Sequence, residues 1–358
     1  MASFREAREL IHLCYEMDYI SDEEFLLLHA GYKSQNLELP YDSFPEFDLD
    51  SFHEDECLAH FRFQKIHIPV LAEALQIPPT VRCSQGSVCD GEEALCMLLK
   101  RMCYPCRYSD MVPLFAKPVP VISMMTNEVL DYIYATHGHR ILQWNHQLLS
   151  PRNLEHYADS IHSKGAPLDN CFGFVDGTVR PISRPECNQR IVYNGHKRVH
   201  AIKFQSVVTP NGMIANLFGP VEGRKHDAGM LTDSNLLADL NRYAISAAGQ
   251  PLCIYGDPAY PLRVNLQGPF RNAVLTPQME AYNAAMSSVR SSVEWLFGDI
   301  INYFKFLDFK KNLKIGLSSV GKMYIVCALL RNSLTCLYGN NTSEFFQCDP
   351  PDLFTYFA

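Results

Sequence analysis

Three acidic residues in this chain stand where carboxylates could do chemistry. Asp176 closes the apolar run Gly173-Phe174-Val175 and is followed by Gly177, whose missing Cβ admits a close neighbour. Asp257 follows the β-rich run Leu252–Tyr255 in Tyr255-Gly-Asp-Pro-Ala-Tyr-Pro261, and Glu294 lies four residues after Arg290 in a long helical stretch. Each alone reads blandly. Asp-Gly and Asp-Pro initiate turns, and Arg290 with Glu294 makes an ordinary intrahelical ion pair. Together they put two acids at the carboxyl ends of strands, where open α/β sheets keep their sites, and a third on a following helix. Phosphodiester cleavage by two divalent ions needs hard oxygen ligands holding metals about 3.5–4 Å apart. Three converging carboxylates repel one another without cations, so the set implies Mg²⁺ or Mn²⁺. Asp227, in Gly223-Arg-Lys-His-Asp227, reads either as the cap of the helix that follows it or as a fourth carboxylate for metal.

The elements that must carry these residues begin near Asn170, where short β-rich runs alternate with turns. Phe172–Val175, His200–Thr209 and Met213–Gly219 predict three strands, with Asn211-Gly212 turning the last two into a hairpin. A helix is expected near Asp227–Ala247, then strands at Leu252–Tyr255 and Ala273–Leu275. Two long helices follow, over Pro277–Tyr303 and Leu317–Leu337. That order predicts an α/β architecture, an RNase H-like mixed sheet flanked by helices, over residues 166–340. A mainly helical region, 1–165, precedes it, and 341–358 is read as a tail.

In the first region Ser21–Glu24 is a capping box and Asp90-Gly-Glu-Glu93 another. Leu37–Glu56, broken by Pro40 and Pro45, reads as an acidic arm. Residues 90–136 outline either a helix-turn-helix or three helices packed for stability. Its last helix sets Ile122, Met125, Val129 and Ile133 on one face and offers Ser123, Thr126 and Asn127, with no Lys or Arg.

The motifs Phe174-Val-Asp-Gly-Thr178, Gly223-Arg-Lys-His-Asp-Ala228, Gly256-Asp-Pro-Ala-Tyr-Pro261 and Arg290-Ser-Ser-Val-Glu-Trp-Leu-Phe-Gly298 resemble the motif series of PIF/Harbinger-type DDE transposases. The resemblance spans Gly173 to Leu337. It implies a DNA endonuclease or transposase whose catalytic triad is Asp176, Asp257 and Glu294, with Asp227 as a further metal carboxylate. It also implies a nuclear protein with DNA as substrate and a Myb-like DNA-binding partner; a homo-oligomer is a further expectation. One departure is Arg331, in Ala328-Leu-Leu-Arg-Asn332, where the family pattern has His. A domesticated relative that keeps the fold as a protein- or DNA-binding scaffold is the alternative, and another phosphate-ester hydrolase on the same core is a third.

The formal net charge of -8 argues at first against a nucleic-acid partner, but the charge is uneven. Residues 1–100 hold 19 Asp and Glu against 7 Lys and Arg, which leaves the other 258 residues at +4. Between Arg180 and Lys203 six basic residues face Glu186 alone. That run reads as a solvated face or as a track for DNA phosphates. The expected DNA contacts are Arg180, Arg184, Lys197, Arg198, Arg224, Lys225 and Arg290. Thirteen cysteines without an export signal read as buried thiols. Cys103-Tyr-Pro-Cys106 is one pair where a zinc site needs two, and Cys96 and Cys103, seven apart, are expected to face the core. No apolar run is long enough to span a bilayer, so no membrane association is expected.

Overall fold

In the computed structural model the described residues are 4–31, 39–271 and 274–358, with side chains described at all of these except 4–6, 293–295 and 297. The N-terminal portion is helical, with helices Phe4–Glu16, Asp22–Gly31, Glu54–Phe61, His67–Ala74, Gly91–Cys103, Val119–His137 and Pro151–Ser163. A ribbon of β1 (Thr80–Arg82) and β2 (Val88–Asp90) interrupts them. The Ser21 and Glu24 side chains each bond the other's backbone N–H, a full capping box, whereas at helix Gly91–Cys103 Asp90 caps Glu92 and Glu93 and the Glu93 carboxylate turns to Lys117 and Cys89 instead of closing the box. The acidic arm is pinned by aromatic packing, Phe47 stacking on Phe115 at 5.1 Å between ring centres and Phe52 meeting Phe61 edge-on. Cys96 and Cys103 face the core. Ile122, Met125, Val129 and Ile133 are buried as their spacing predicts. Thr126 is buried too, its hydroxyl donating to the Ile122 carbonyl, which turns it away from solvent.

The second portion holds the larger sheet, built among the described residues from β3 (Cys171–Pro181), β4 (Tyr193–Asn194), β5 (Val199–Val208), β6 (Ile214–Glu222), β7 (Cys253–Tyr255) and β8 (Leu266–Gln267). The strands lie in the order β6-β5-β3-β7-β8, with β4 pairing the start of β5. β3, β5 and β6 form an antiparallel meander, while β7 and β8 run parallel to β3. The turn between β5 and β6 needs Gly212 at φ 75°, a region closed to most side chains. Helices Pro277–Tyr303 and Val320–Tyr338 match their expected spans closely. Asn341–Phe346 and Leu353–Phe357, in the segment read as a tail, are helical and bury Phe346, Leu353, Tyr356 and Phe357. By length and composition Val320–Tyr338 could cross a membrane, yet most of it is packed inside the protein.

Three expectations are corrected. β3 does not end at Asp176 but runs on to Pro181, because β5 pairs with it along that whole length. The helix expected over Asp227–Ala247 is two helices, Asp227–Asp233 and Leu236–Tyr243, broken at extended Ser234. The last strand is Leu266–Gln267; of the span expected, Ala273 lies outside the described residues and Val274 is exposed in a bend.

A continuous hydrophobic core runs from Cys57 to Phe357. Asn332 is buried in it, its amide accepting from the Ile214 N–H and donating to the Ile214 carbonyl, both at 2.9 Å. Arg331 is buried as well. Its guanidinium pairs with Asp299 at 2.9 Å, donates to Thr335, and lies over the Tyr303 ring.

Candidate active site

The neighbouring strands decide where Asp176 sits. β7 stops at Tyr255, which pairs with Phe174, so β3 continues past the carboxyl end of its parallel neighbour. Asp176 and Asp257 each lie two residues beyond that pair, past the carboxyl end of β7, and the Asp257 charge is felt at Asp176. Asp176 therefore borders an open edge on its β7 side while staying paired with Ser206 of β5 on the other. The Asp257 carboxylate accepts from the Ala259 N–H at 2.9 Å, an Asx turn that Pro258 favours.

Asp227 meets β3 at Gly177, the residue after Asp176. It is the first residue of helix Asp227–Asp233, and the cap position falls to His226, which makes no capping bond. A Cβ on Gly177 would lie 2.5 Å from Asp227 Oδ1, so the close neighbour that this glycine admits is the Asp227 carboxylate. Asp227 is paired with Lys203 at 2.7 Å, and the same ammonium donates to the Lys225 carbonyl. Lys203 is buried on β5 and escaped the sequence reading, where it looked like one more cation of a basic run.

Arg290, on the long helix Pro277–Tyr303, brings its guanidinium to 3.4 Å from Asp176. Burial nevertheless prevails. The Asp176 carboxyl is pushed up to about 6 by desolvation, against the pull of Arg290 and the Gly177 N–H, with Asp257 and Asp227 adding repulsion. Glu294 is one helical turn beyond Arg290, and its side chain lies outside the described residues.

Tyr260, from the Gly256–Pro261 motif, is buried against Gly256, and its hydroxyl has no hydrogen-bond partner among the described residues. Burial, then the charges of Asp227, Asp176 and Asp257, raise its pKa. A buried hydroxyl without a partner costs roughly 1–3 kcal/mol and marks a place for a ligand oxygen.

Among the described residues no group of three or more His, Cys, Asp or Glu side chains is gathered closely enough to hold a metal ion. The donor chemistry still suits a hard cation. Asp176 and Asp257 offer carboxylate oxygens whose mutual repulsion a divalent ion would relieve, and the Tyr260 hydroxyl adds a donor for a bound oxygen.

The expected DNA contacts divide into two groups. Arg184, Lys197, Arg198 and Arg224 are exposed; Lys197 and Arg198 sit in the turn joining β4 to β5, and the Arg224 N–H bonds the Ile191 carbonyl beside them. Arg180 instead turns inward, donating to the Tyr324 hydroxyl at 3.0 Å and lying 5.0 Å from that ring's centre. Lys225 pairs with Asp233, and Arg290 serves Asp176.

Residues 175–332 match the family model of the DDE superfamily endonucleases, a stretch that contains Asp176, Asp227, Asp257 and Glu294. No curated protein and no solved structure gives a significant match to the chain.

Proposed function

We propose that this chain is a divalent-metal-dependent DNA endonuclease of the PIF/Harbinger transposase type. The observation that carries the reading is that Asp176 and Asp257 both follow the Phe174–Tyr255 pair by two residues, within the stretch matched by the endonuclease family. The strand order, with β5 alone antiparallel to the rest of β6-β5-β3-β7-β8, supports an RNase H-like core. Asp176, Asp257 and Glu294 would hold Mg²⁺ or Mn²⁺, with Asp227 beside them, and the ion would supply charge neutralisation at the scissile phosphate and a more acidic water. Within the chain, Arg290 steers Asp176 and Lys203 fixes Asp227. Arg184, Lys197, Arg198 and Arg224 are the cations exposed for DNA phosphates.

The scaffold reading draws on the same ion pairs, since Arg290 and Lys203 neutralise two acids without any metal. One assay decides. Supercoiled plasmid is incubated with the protein and Mg²⁺ or Mn²⁺, alongside an Asp257→Ala variant. Nicking by the parent and not by the variant is the expected result. Equal nicking by both, or none by either, sinks the endonuclease.

A further inference from the structure

The segment that leaves Asp257 carries an exposed apolar surface that the acid cluster does not use. Leu262 is 52% exposed, Val264 68% and Phe270 41%, within a stretch from Pro258 to Met279 that contains Arg263 and Arg271 and no acid. The surface lies against the site. A Cβ built on Gly268 would touch the Leu262 side chain and the Gly256 and Asp257 carbonyls, and the Arg271 guanidinium donates to the Tyr260 carbonyl.

Phe270 is also held rigidly. Asn283 clamps its backbone from both sides, accepting from its N–H at 2.9 Å and donating to its carbonyl at 3.1 Å. Tyr282 meets its ring edge-on at 5.1 Å between centres. An exposed aromatic ring on a clamped backbone, in a segment whose charged residues are arginines, suits a flat partner with anionic flanks. Unpaired nucleotides have that chemistry, and stacking on every base makes such a platform indifferent to sequence.

We infer that Phe270, with Leu262 beside the Asp257 turn, is a stacking platform for unpaired DNA bases next to the scissile phosphate. The inference rests on the endonuclease reading and adds the form of the substrate, an opened or single-stranded end. Leu262 and Val264 extend the apolar floor, and Arg263 and Arg271 draw in the adjoining phosphates.

Fluorescence anisotropy tests it. The full chain carrying Asp257→Asn is mixed with a short labelled single-stranded oligonucleotide, or with a labelled, fully paired, blunt-ended duplex whose ends are GC-rich. Adding Phe270→Ala should weaken single-strand binding about tenfold, a stacked base being worth about that much. It should change duplex binding less than twofold, and Phe270→Trp should keep both affinities. Equal single-strand affinity with and without Phe270→Ala overturns the inference, as does equal weakening on both DNA forms. So does a loss of self-association in sedimentation, which would make the surface a contact between copies. Parent cleavage of plasmid with no effect of Phe270→Ala would sink this inference alone. No DNA binding and no cleavage at all would sink the endonuclease with it.

Discussion

At Asp176, burial and two neighbouring acids outweigh an arginine, and that imbalance has a measurable sign. The folded carboxyl titrates near 6, above its ordinary value of 3.8, so the native state holds its proton more tightly than the unfolded chain does. Stability without metal therefore falls as pH rises from about 4 to about 6 and stays low above that window. Asp176→Asn removes the penalty. It should raise metal-free stability at pH 7.5 by on the order of 1–3 kcal/mol, and should leave stability at pH 4 nearly unchanged. The same variant should lose most of any melting-temperature rise caused by Mn²⁺, a rise that in the parent should fade as pH drops through 6. Urea titrations at the two pH values check the first part and thermal melts the second; a variant less stable at pH 7.5 than the parent would contradict the sign. Sequence alone marked Asp176, Asp257 and Glu294, because each stands in a motif that a strand end or a helix makes distinctive. Lys203 and Tyr260 stayed hidden. A lysine in a basic run looks solvated until its strand is known to be buried, and a motif tyrosine shows no sign that its hydroxyl lacks a partner.

The elements show the same division between local signals and pairing. The hairpin at Asn211-Gly212, the two long helices and the Ser21–Glu24 capping box were legible because turn chemistry and period are local. The length of β3 was not, since β5 sets it from the other side, and a two-residue edge strand such as β8 has no pattern to read. The packing of β3 against helix Asp227–Asp233 is where this matters for the site. Gly177→Ala would drive a methyl into the Asp227 carboxylate, which Lys203 holds in place, and should destabilise the fold by roughly 1–3 kcal/mol. Asp227→Ala removes the obstacle but leaves Lys203 buried without its anion, at a cost of roughly 3 kcal/mol. The double variant should be about as stable as Asp227→Ala alone. Denaturant midpoints for the three proteins complete the cycle, and fully additive losses would mean that the two residues do not collide.

Across the whole molecule the basic residues split by direction. Arg180 packs on Tyr324, whereas Lys197, Arg198 and Arg224 face solvent around the β4–β5 turn. Replacing those three by Ala should lower the slope of log affinity for duplex DNA against log salt by about 2–3, at roughly 0.9 for each phosphate that is no longer neutralised. Arg180→Ala should leave that slope alone and lower the melting temperature instead. A slope unchanged in the triple variant would move the phosphate track elsewhere.

Helix Val320–Tyr338 covers the sheet late in the chain. Its Asn332 bonds both backbone groups of Ile214, 118 positions earlier, while Tyr324 stacks on Phe204 at 4.3 Å between ring centres. The same helix packs on Val119–His137 from the N-terminal portion. During synthesis, therefore, Asp176 and Asp257 emerge from the ribosome well before the helix that closes their sheet. A nascent chain halted before residue 320 carries the acids on an uncovered sheet whose apolar face chaperones can hold, so the site matures only after this helix has been made.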